Sequence, residues 1–220
     1  MPRSRPIVIG AALVAALLAN YWVLEDALAD RTNFDASWIS DLSTRSEGSG
    51  GEFVALGILA ALALLTYGVI LLVTLGAEGP LLRRGALAFV FAAAATMVAA
   101  AAPLSCAKGL EAACSLKEDT LDLVHSVATA GEIGATILAF LLLGLGLMRS
   151  GRRRYGIATF AFGAVWLALT IVTGVSYLSH GVDELKGAFQ RVDQVLLGIW
   201  LVLIGVAATT PVGGADDRDG

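Results

Sequence analysis

The sequence is poor in the residues that most often bind metals or carry out redox chemistry. It has two cysteines and two histidines among 220 residues, and the cysteines do not form a C-x-x-C pair. This scarcity excludes a cysteine-rich metal site and disfavours thiol–disulfide catalysis. A haem held by His125 and His180 is disfavoured as well, because haem-binding helical bundles usually carry more histidines. We therefore predict neither a metal nor a cofactor.

Charged residues are also scarce. They make up 15% of the chain, against about 25% in a typical soluble domain. No basic stripe interleaved with aromatic residues and no zinc-finger spacing is present, which excludes the common nucleic-acid-binding modules. The G-x-S-x-G signature of a serine hydrolase is missing too. A nucleic-acid partner is therefore not expected.

Long apolar runs dominate the chain instead. It is 57% hydrophobic with a mean hydropathy of +0.77, and runs of about 18 or more apolar residues are typical of transmembrane helices. We predict an all-α fold, a polytopic membrane protein with a bundle of six transmembrane helices and short loops, whose first extracytoplasmic loop acts as a lid. Residues 1–208 form the single membrane domain, and residues 209–220 form a flexible cytoplasmic tail. The predicted spans are residues 7–24, 53–75, 86–104, 120–148, 155–178 and 189–208.

The first apolar run has a second interpretation, a cleaved signal peptide. The residues Ala27-Leu28-Ala29 resemble a small-residue cleavage site. The polar residue Asn20 and the acidic pair Glu25-Asp26 precede that site, which favours an uncleaved membrane anchor.

The distribution of basic residues predicts the orientation. The N-terminus, the loops 76–85 and 149–154, and the tail hold nine of the fifteen Lys and Arg residues, whereas most acidic residues lie in the alternate loops. Because cytoplasmic loops are enriched in Lys and Arg, both termini are predicted to be cytoplasmic. Cys106 and Cys114 then share one extracytoplasmic loop, where a disulfide can persist. We predict that they are bonded to each other; two free thiols are the alternative if the loop is cytoplasmic.

Four polar residues mark one face of the fourth predicted helix. Asp122, His125, Thr129 and Glu132 are spaced by three, four and three residues, so they project from the same side. An ionisable residue inside an otherwise apolar span must face protein or water. This face therefore predicts a polar pocket in the outer half of the bundle. Ser115 and Glu118 resemble a capping box, which would start the helix near Leu116.

Arg191 opens the sixth span and is expected to lie within reach of Asp41, Asp122 or Glu132. Its guanidinium suits bidentate contacts with carboxylates or anionic headgroups; a structural salt bridge or an arginine that extends to the membrane surface is the alternative. Glu132 could likewise be a structural partner of Arg191 or Asn20. The candidate ligand-binding residues are Asp41, His125, Glu132, Arg191 and Tyr177.

Short motifs in the chain resemble a known family. The run Ile39-Ser40-Asp41 before the second span, His125 on the fourth, and the Gly-x-x-x-Arg entry of Gly187 and Arg191 into the sixth resemble the bacterial domain-of-unknown-function 998 family. This resemblance implies a six-helix protein of the bacterial inner membrane. The Ile-Ser-Asp run is also similar to one in the DRAM-like autophagy modulators, which suggests lipid handling by analogy alone.

Three functions remain open from the sequence. The first is a non-enzymatic protein that binds a membrane lipid or small amphiphile in an outward-facing polar pocket. The second is a lipid-acting enzyme with His125 and a carboxylate as its acid–base pair. The third is a small subunit or assembly factor of a larger membrane complex. The chain lacks a continuous polar path across the membrane, which disfavours a transporter, and we favour the first function.

Overall fold

Helices make up the regular structure of this protein. The computed structural model describes residues 5–28, 38–46, 48–107, 119–179 and 185–211, without the side chains of residues 175–179 and of Lys186. No strand occurs among these residues. The α-helices are α1 Arg5–Ala19, α2 Glu25–Leu28, α3 Gly50–Thr74, α4 Pro80–Ala101, α5 Thr120–Arg149, α6 Arg153–Ser179 and α7 Lys186–Thr209, with 3-10 turns at Tyr21–Leu24, Ile39–Ser43 and Gly76–Glu78.

Five helices within the described residues are long and apolar enough to cross a membrane, namely α3 to α7. The sixth candidate is α1 together with Tyr21–Leu28, and it is bent by 52°. At the bend, the Asn20 side-chain amide donates to the carbonyl oxygen of Ala16 at 2.8 Å, and its Oδ1 accepts from Trp22 Nε1 at 3.1 Å. The fold is therefore the predicted all-α polytopic membrane protein; the count of six spans stays a prediction.

The long helices pack in a ring that follows the chain order. Neighbours in the ring are α1 and α3, then α4, α5, α6 and α7, and α7 packs back against α1. The approach of α4 to α5 depends on glycine, because a Cβ at Gly146 would lie 2.7 Å from Leu82 Cγ and one at Gly85 only 2.8 Å from the Leu143 backbone nitrogen. Small residues at such contacts let transmembrane helices approach closely.

Two helix starts differ from the predictions. The third span was predicted from residue 86, but α4 begins at Pro80, because proline has a suitable φ and lacks the amide hydrogen that this position would leave unbonded. The predicted start near Leu116 is also wrong, since α5 begins at Thr120. Its capping box is Asp119 with Asp122, in which each carboxylate accepts from the other's backbone amide. Ser115 and Glu118 lie outside the described residues.

A buried arginine joins three chain segments at one end of the bundle. Arg152, before α6, forms an ion pair with Glu78 of the α3–α4 connection. Its Nε and Nη2 donate to the carbonyl oxygen of Thr210 at 3.0 and 2.7 Å. This end carries the basic connections that the sequence assigns to the cytoplasm, and the candidate site lies at the opposite end.

Candidate functional site

A cavity of about 490 Å³ occupies the end of the bundle opposite Arg152. All six long helices and the Ile39–Ser43 turn contribute residues to its wall. Its volume falls within the roughly 300–1,000 Å³ of usual small-molecule sites. The polar lining residues are Tyr21, Ser40, Asp41, Ser43, Thr96, His125, Ser126, Thr129, Glu132, Thr170, Thr173, Gln190, Asp193 and Gln194.

Two carboxylates face the cavity from adjacent sides. Glu132 on α5 is half-buried and lies near Thr96 of α4, whose hydroxyl donates to the Ala92 carbonyl oxygen at 3.0 Å. Asp193 on α7 is only 8% exposed and lies near Thr170 of α6, whose hydroxyl donates to the Trp166 carbonyl oxygen at 3.0 Å. The two carboxylates are close enough to interact electrostatically.

Aromatic side chains close the cavity on its inner side. Trp166 lines the cavity and packs against Phe140, with ring centroids 5.8 Å apart. Phe140 in turn lies 4.5 Å from the ring of Trp200, which is completely buried. Phe89 and Tyr67 continue this cluster toward α4 and α3. Five helices therefore contribute one aromatic ring each to an apolar floor.

The Ile39–Ser43 turn covers the outer side. Asp41 Oδ2 accepts a hydrogen bond from the backbone amide of Trp38 at 2.9 Å, which fixes the turn. The amide of Ile39 donates to Gln190 Oε1 of α7 at 2.6 Å. The amide of Arg45 donates to the Leu104 carbonyl oxygen at 2.9 Å. The turn is thus fastened to α7 on one side and to the end of α4 on the other.

His125 has a clear local role. Its Nδ1 lies 3.0 Å from the carbonyl oxygen of Ala99 and 3.1 Å from that of Ala102. Because carbonyl oxygens only accept, Nδ1 must carry the hydrogen. These carbonyl groups lie at the C-terminal end of α4, where the Ala99 oxygen also accepts from the backbone amide of Ala102 at 3.2 Å. His125 thus ties α5 to the end of α4 while its ring lines the cavity.

Residues 8–207 of the chain match the family DUF998, described as a protein of unknown function. The chain belongs to this family. The resemblance noted on Ile39-Ser40-Asp41, His125 and Arg191 is thereby confirmed, while the similarity to DRAM-like proteins stays a prediction. No curated protein and no solved structure matches the chain. The family description names no activity.

Arg191 lies elsewhere than the sequence suggested for this DUF998 protein. It does not line the cavity. It forms a buried ion pair with Glu25 of α2, and its Nε donates to Glu25 Oε1 at 3.1 Å. The guanidinium also lies over the ring of Trp22, 5.7 Å from the centroid. The bend after α1 brings Glu25 to α7 as a partner that the sequence did not suggest; the expected contact with Asp41, Asp122 or Glu132 stays a prediction.

Asp122 is also taken up by structural contacts. Its Oδ1 accepts from the backbone amide of Ser105 at 2.9 Å and from the Ser105 hydroxyl at 3.2 Å. Its Oδ2 lies 3.7 Å from Arg45 Nη2, which also pairs with Asp119 at 2.7 Å. Asp122 therefore joins the start of α5 to the segment after α4, and it does not line the cavity in this DUF998 protein.

Two predicted residues lie partly or wholly outside the described part of the chain. The side chain of Tyr177 is not described, so its role stays a prediction. Cys106 is completely buried, but Cys114 is not described, and the Cys106–Cys114 disulfide likewise stays a prediction. Among the described residues, no three His, Cys, Asp or Glu side chains are grouped so as to hold a metal ion.

Sequence reasoning missed the contribution of α7 to the cavity of this DUF998 protein. Gln190, Asp193, Gln194 and Leu197 all line it. Their spacing of three, four and seven residues from Gln190 is the signal of one helix face. The same spacing argument identified Glu132 on α5, and it could have identified Asp193 as its counterpart.

Proposed function

We propose that this DUF998 protein binds a lipid or a small amphiphile in the cavity between α5 and α7, without converting it. The single observation that carries the proposal is the cavity itself. It combines polar side chains from several helices with a largely apolar wall, including Ala60, Leu64 and Leu197. A molecule with a polar head and an apolar body matches such a wall.

The aromatic floor supports binding over transport. A transported solute needs polar or water-lined passage through the whole bundle. Below the cavity, the described path is instead blocked by packed rings, with Trp200 completely buried between Phe89 and Phe140. A ligand that enters this cavity is therefore expected to leave on the side from which it came.

The proposal assigns the Ile39–Ser43 turn the role of a lid. The turn forms part of the cavity wall, and its contact with α7 runs through Ile39 and Gln190. His125 acts in this scheme as a fixed wall residue, because its described hydrogen bonds hold α4 to α5.

The proposed location is the bacterial inner membrane, with six spans and both termini in the cytoplasm. An even number of spans puts both termini on one side. The basic connections around Arg83 and Arg153 then face the cytoplasm, as the positive-inside rule requires, and the cavity opens outward. Fusions of a periplasm-dependent phosphatase after residue 48 and after residue 211 test this orientation. Activity of the first fusion alone is expected, and activity of the second alone would overturn it.

The binding proposal is tested by purifying the protein in a mild neutral detergent and identifying retained molecules by native mass spectrometry. Thr129→Phe places a large ring in the cavity, since Thr129 lines it. Val127→Phe is the matched control, because Val127 lies on the same helix and is 64% exposed. We expect Thr129→Phe to retain at least tenfold less amphiphile than the unchanged protein, and Val127→Phe to retain the same amount.

Two outcomes would overturn the binding proposal. One is a protein that retains no amphiphile and shows no thermal stabilisation with any added lipid. The other is equal retention by both phenylalanine variants, which would place the bound molecules on the outer surface of the bundle. Comparable melting temperatures for the two variants establish that the comparison is between folded proteins.

A further inference from the structure

The charge inside the cavity has one sign. Asp41, Glu132 and Asp193 are the carboxylates among the lining residues. The described lining residues include neither lysine nor arginine, since Arg191 is paired with Glu25 outside the cavity. An anionic headgroup would therefore meet carboxylates and no fixed positive charge. Such an arrangement repels phosphate and carboxylate groups.

Asp193 is the second observation that points to a ligand. It is 8% exposed, and its Oδ1 has no hydrogen-bond partner among the described residues. A buried carboxylate oxygen without a partner is costly. The nearby Glu132 adds repulsion and supplies no compensation. A ligand that brings a hydrogen-bond donor or a positive charge would satisfy Asp193 Oδ1 and offset the repulsion between the two carboxylates.

The shape and the aromatic content of the wall favour an organic cation. The cavity volume of about 490 Å³ is far larger than a single ion requires. Tyr21, Trp38 and Trp166 belong to the wall, and aromatic faces attract ammonium groups. The Nε1 of Trp166 also has no partner among the described residues, so it can donate to a hydroxyl or ester oxygen beside the ammonium.

We infer that the ligand is an amphiphile with a positively charged ammonium headgroup, held between Glu132 of α5 and Asp193 of α7. The apolar body lies along the aliphatic and alanine-rich part of the wall. This inference rests on the proposed function and names its ligand class. It does not use the contact with an anionic headgroup that the sequence suggested as one role for Arg191.

The test compares three amphiphiles with the same twelve-carbon chain on the protein in dodecyl maltoside. They are dodecyltrimethylammonium, dodecanol and dodecyl sulfate. Binding is measured by thermal stabilisation and by tryptophan fluorescence, since Trp38 and Trp166 line the cavity. We expect the cation to bind at least tenfold more tightly than dodecanol, which corresponds to about 1.4 kcal/mol. The sulfate is expected to bind more weakly than dodecanol.

Matched variants locate the effect. Glu132→Gln and Asp193→Asn are each expected to weaken dodecyltrimethylammonium binding about tenfold and to change dodecanol binding by much less. Glu52→Gln is the control, because Glu52 is an exposed carboxylate at the start of α3 and does not line the cavity. If a cavity variant fails to fold, the comparison of the three amphiphiles on the unchanged protein still decides the question.

The outcomes separate the two proposals. Equal binding of the cation and dodecanol, or equal loss in Glu52→Gln, overturns the ammonium site and leaves amphiphile binding standing. Failure of all three amphiphiles overturns both. Choline bound as tightly as dodecyltrimethylammonium supports the ammonium site and overturns the requirement for an apolar chain. Calcium that displaces dodecyltrimethylammonium at equal concentration would reassign the carboxylates to a metal ion.

Discussion

Arg191 and Glu25 form a buried ion pair between residues 166 positions apart in the chain. Their side chains are 1% and 4% exposed. The contact fastens the short helix α2 to the start of α7, and thereby holds Tyr21 and Trp22 beside the bundle. Arg191 is thereby paired with a carboxylate and does not line the cavity. Under the proposed function, this structural contact keeps the guanidinium of Arg191 out of the cavity wall.

Breaking this ion pair is expected to destabilise the protein strongly. Removal of one partner leaves the other charge buried, which typically costs about 3–5 kcal/mol. Glu25→Gln and Arg191→Gln should each lower the melting temperature. The double variant should lose less stability than the sum of the losses in the two single variants. Thermal unfolding in detergent gives the double-mutant cycle. Additive losses would mean that the two side chains do not stabilise each other.

The inner end of the bundle offers a matched pair of arginines. Arg152 is buried against Glu78 and Thr210, whereas its neighbour Arg153 is exposed. Arg152→Gln is expected to cost about 3 kcal/mol or more, because Glu78 loses its partner. Arg153→Gln should change stability by less than about 0.5 kcal/mol. Chemical denaturation of the two variants side by side measures the difference, and similar losses would contradict the proposed role of Arg152.

Glycines on α5 provide a test of close helix packing. A Cβ at Gly146 would lie 2.7 Å from Leu82, whereas one at Gly134 on the same helix has no neighbour within 4 Å. Gly146→Ala is expected to destabilise the protein by about 1–3 kcal/mol through overpacking. Gly134→Ala should be neutral or stabilising by up to about 1 kcal/mol, because alanine favours helix. Equal melting temperatures for the two variants would show that α4 and α5 are not held in contact at Gly146.

The predicted Cys106–Cys114 disulfide is tested by thiol alkylation and mass spectrometry. Protein prepared without reductant should resist alkylation and gain two alkyl groups after reduction. Its reduced form should unfold at a lower temperature, since closing even a short loop typically contributes about 2–4 kcal/mol. Cys114→Ser should then leave a single thiol that labels in the unfolded protein. Two alkyl groups on unfolded protein that was never reduced would exclude the bond and weaken the proposed orientation.

The sequence by itself determined that the chain forms membrane helices. Apolar runs long enough to cross a bilayer must become helices there, because lipid offers no partner for backbone amides and carbonyls. It also placed Glu132 toward the interior, since a carboxylate in such a run cannot face acyl chains. Helix ends were less certain, as Pro80 and Asp119 show, because several nearby residues can cap a helix and only the packed structure selects among them.

The tertiary structure alone decided which charges meet. Nothing local to Arg191 indicates Glu25 as its partner, because the bend at Asn20 and the packing of α1 against α7 bring them together. The same packing brings Asp193 and Glu132 to the wall of one cavity. Helical spacing reports the direction of each side chain on its own helix, but the rotation of one helix against another depends on contacts such as Gly146 with Leu82. Those contacts fix the sign of the charge that the cavity presents.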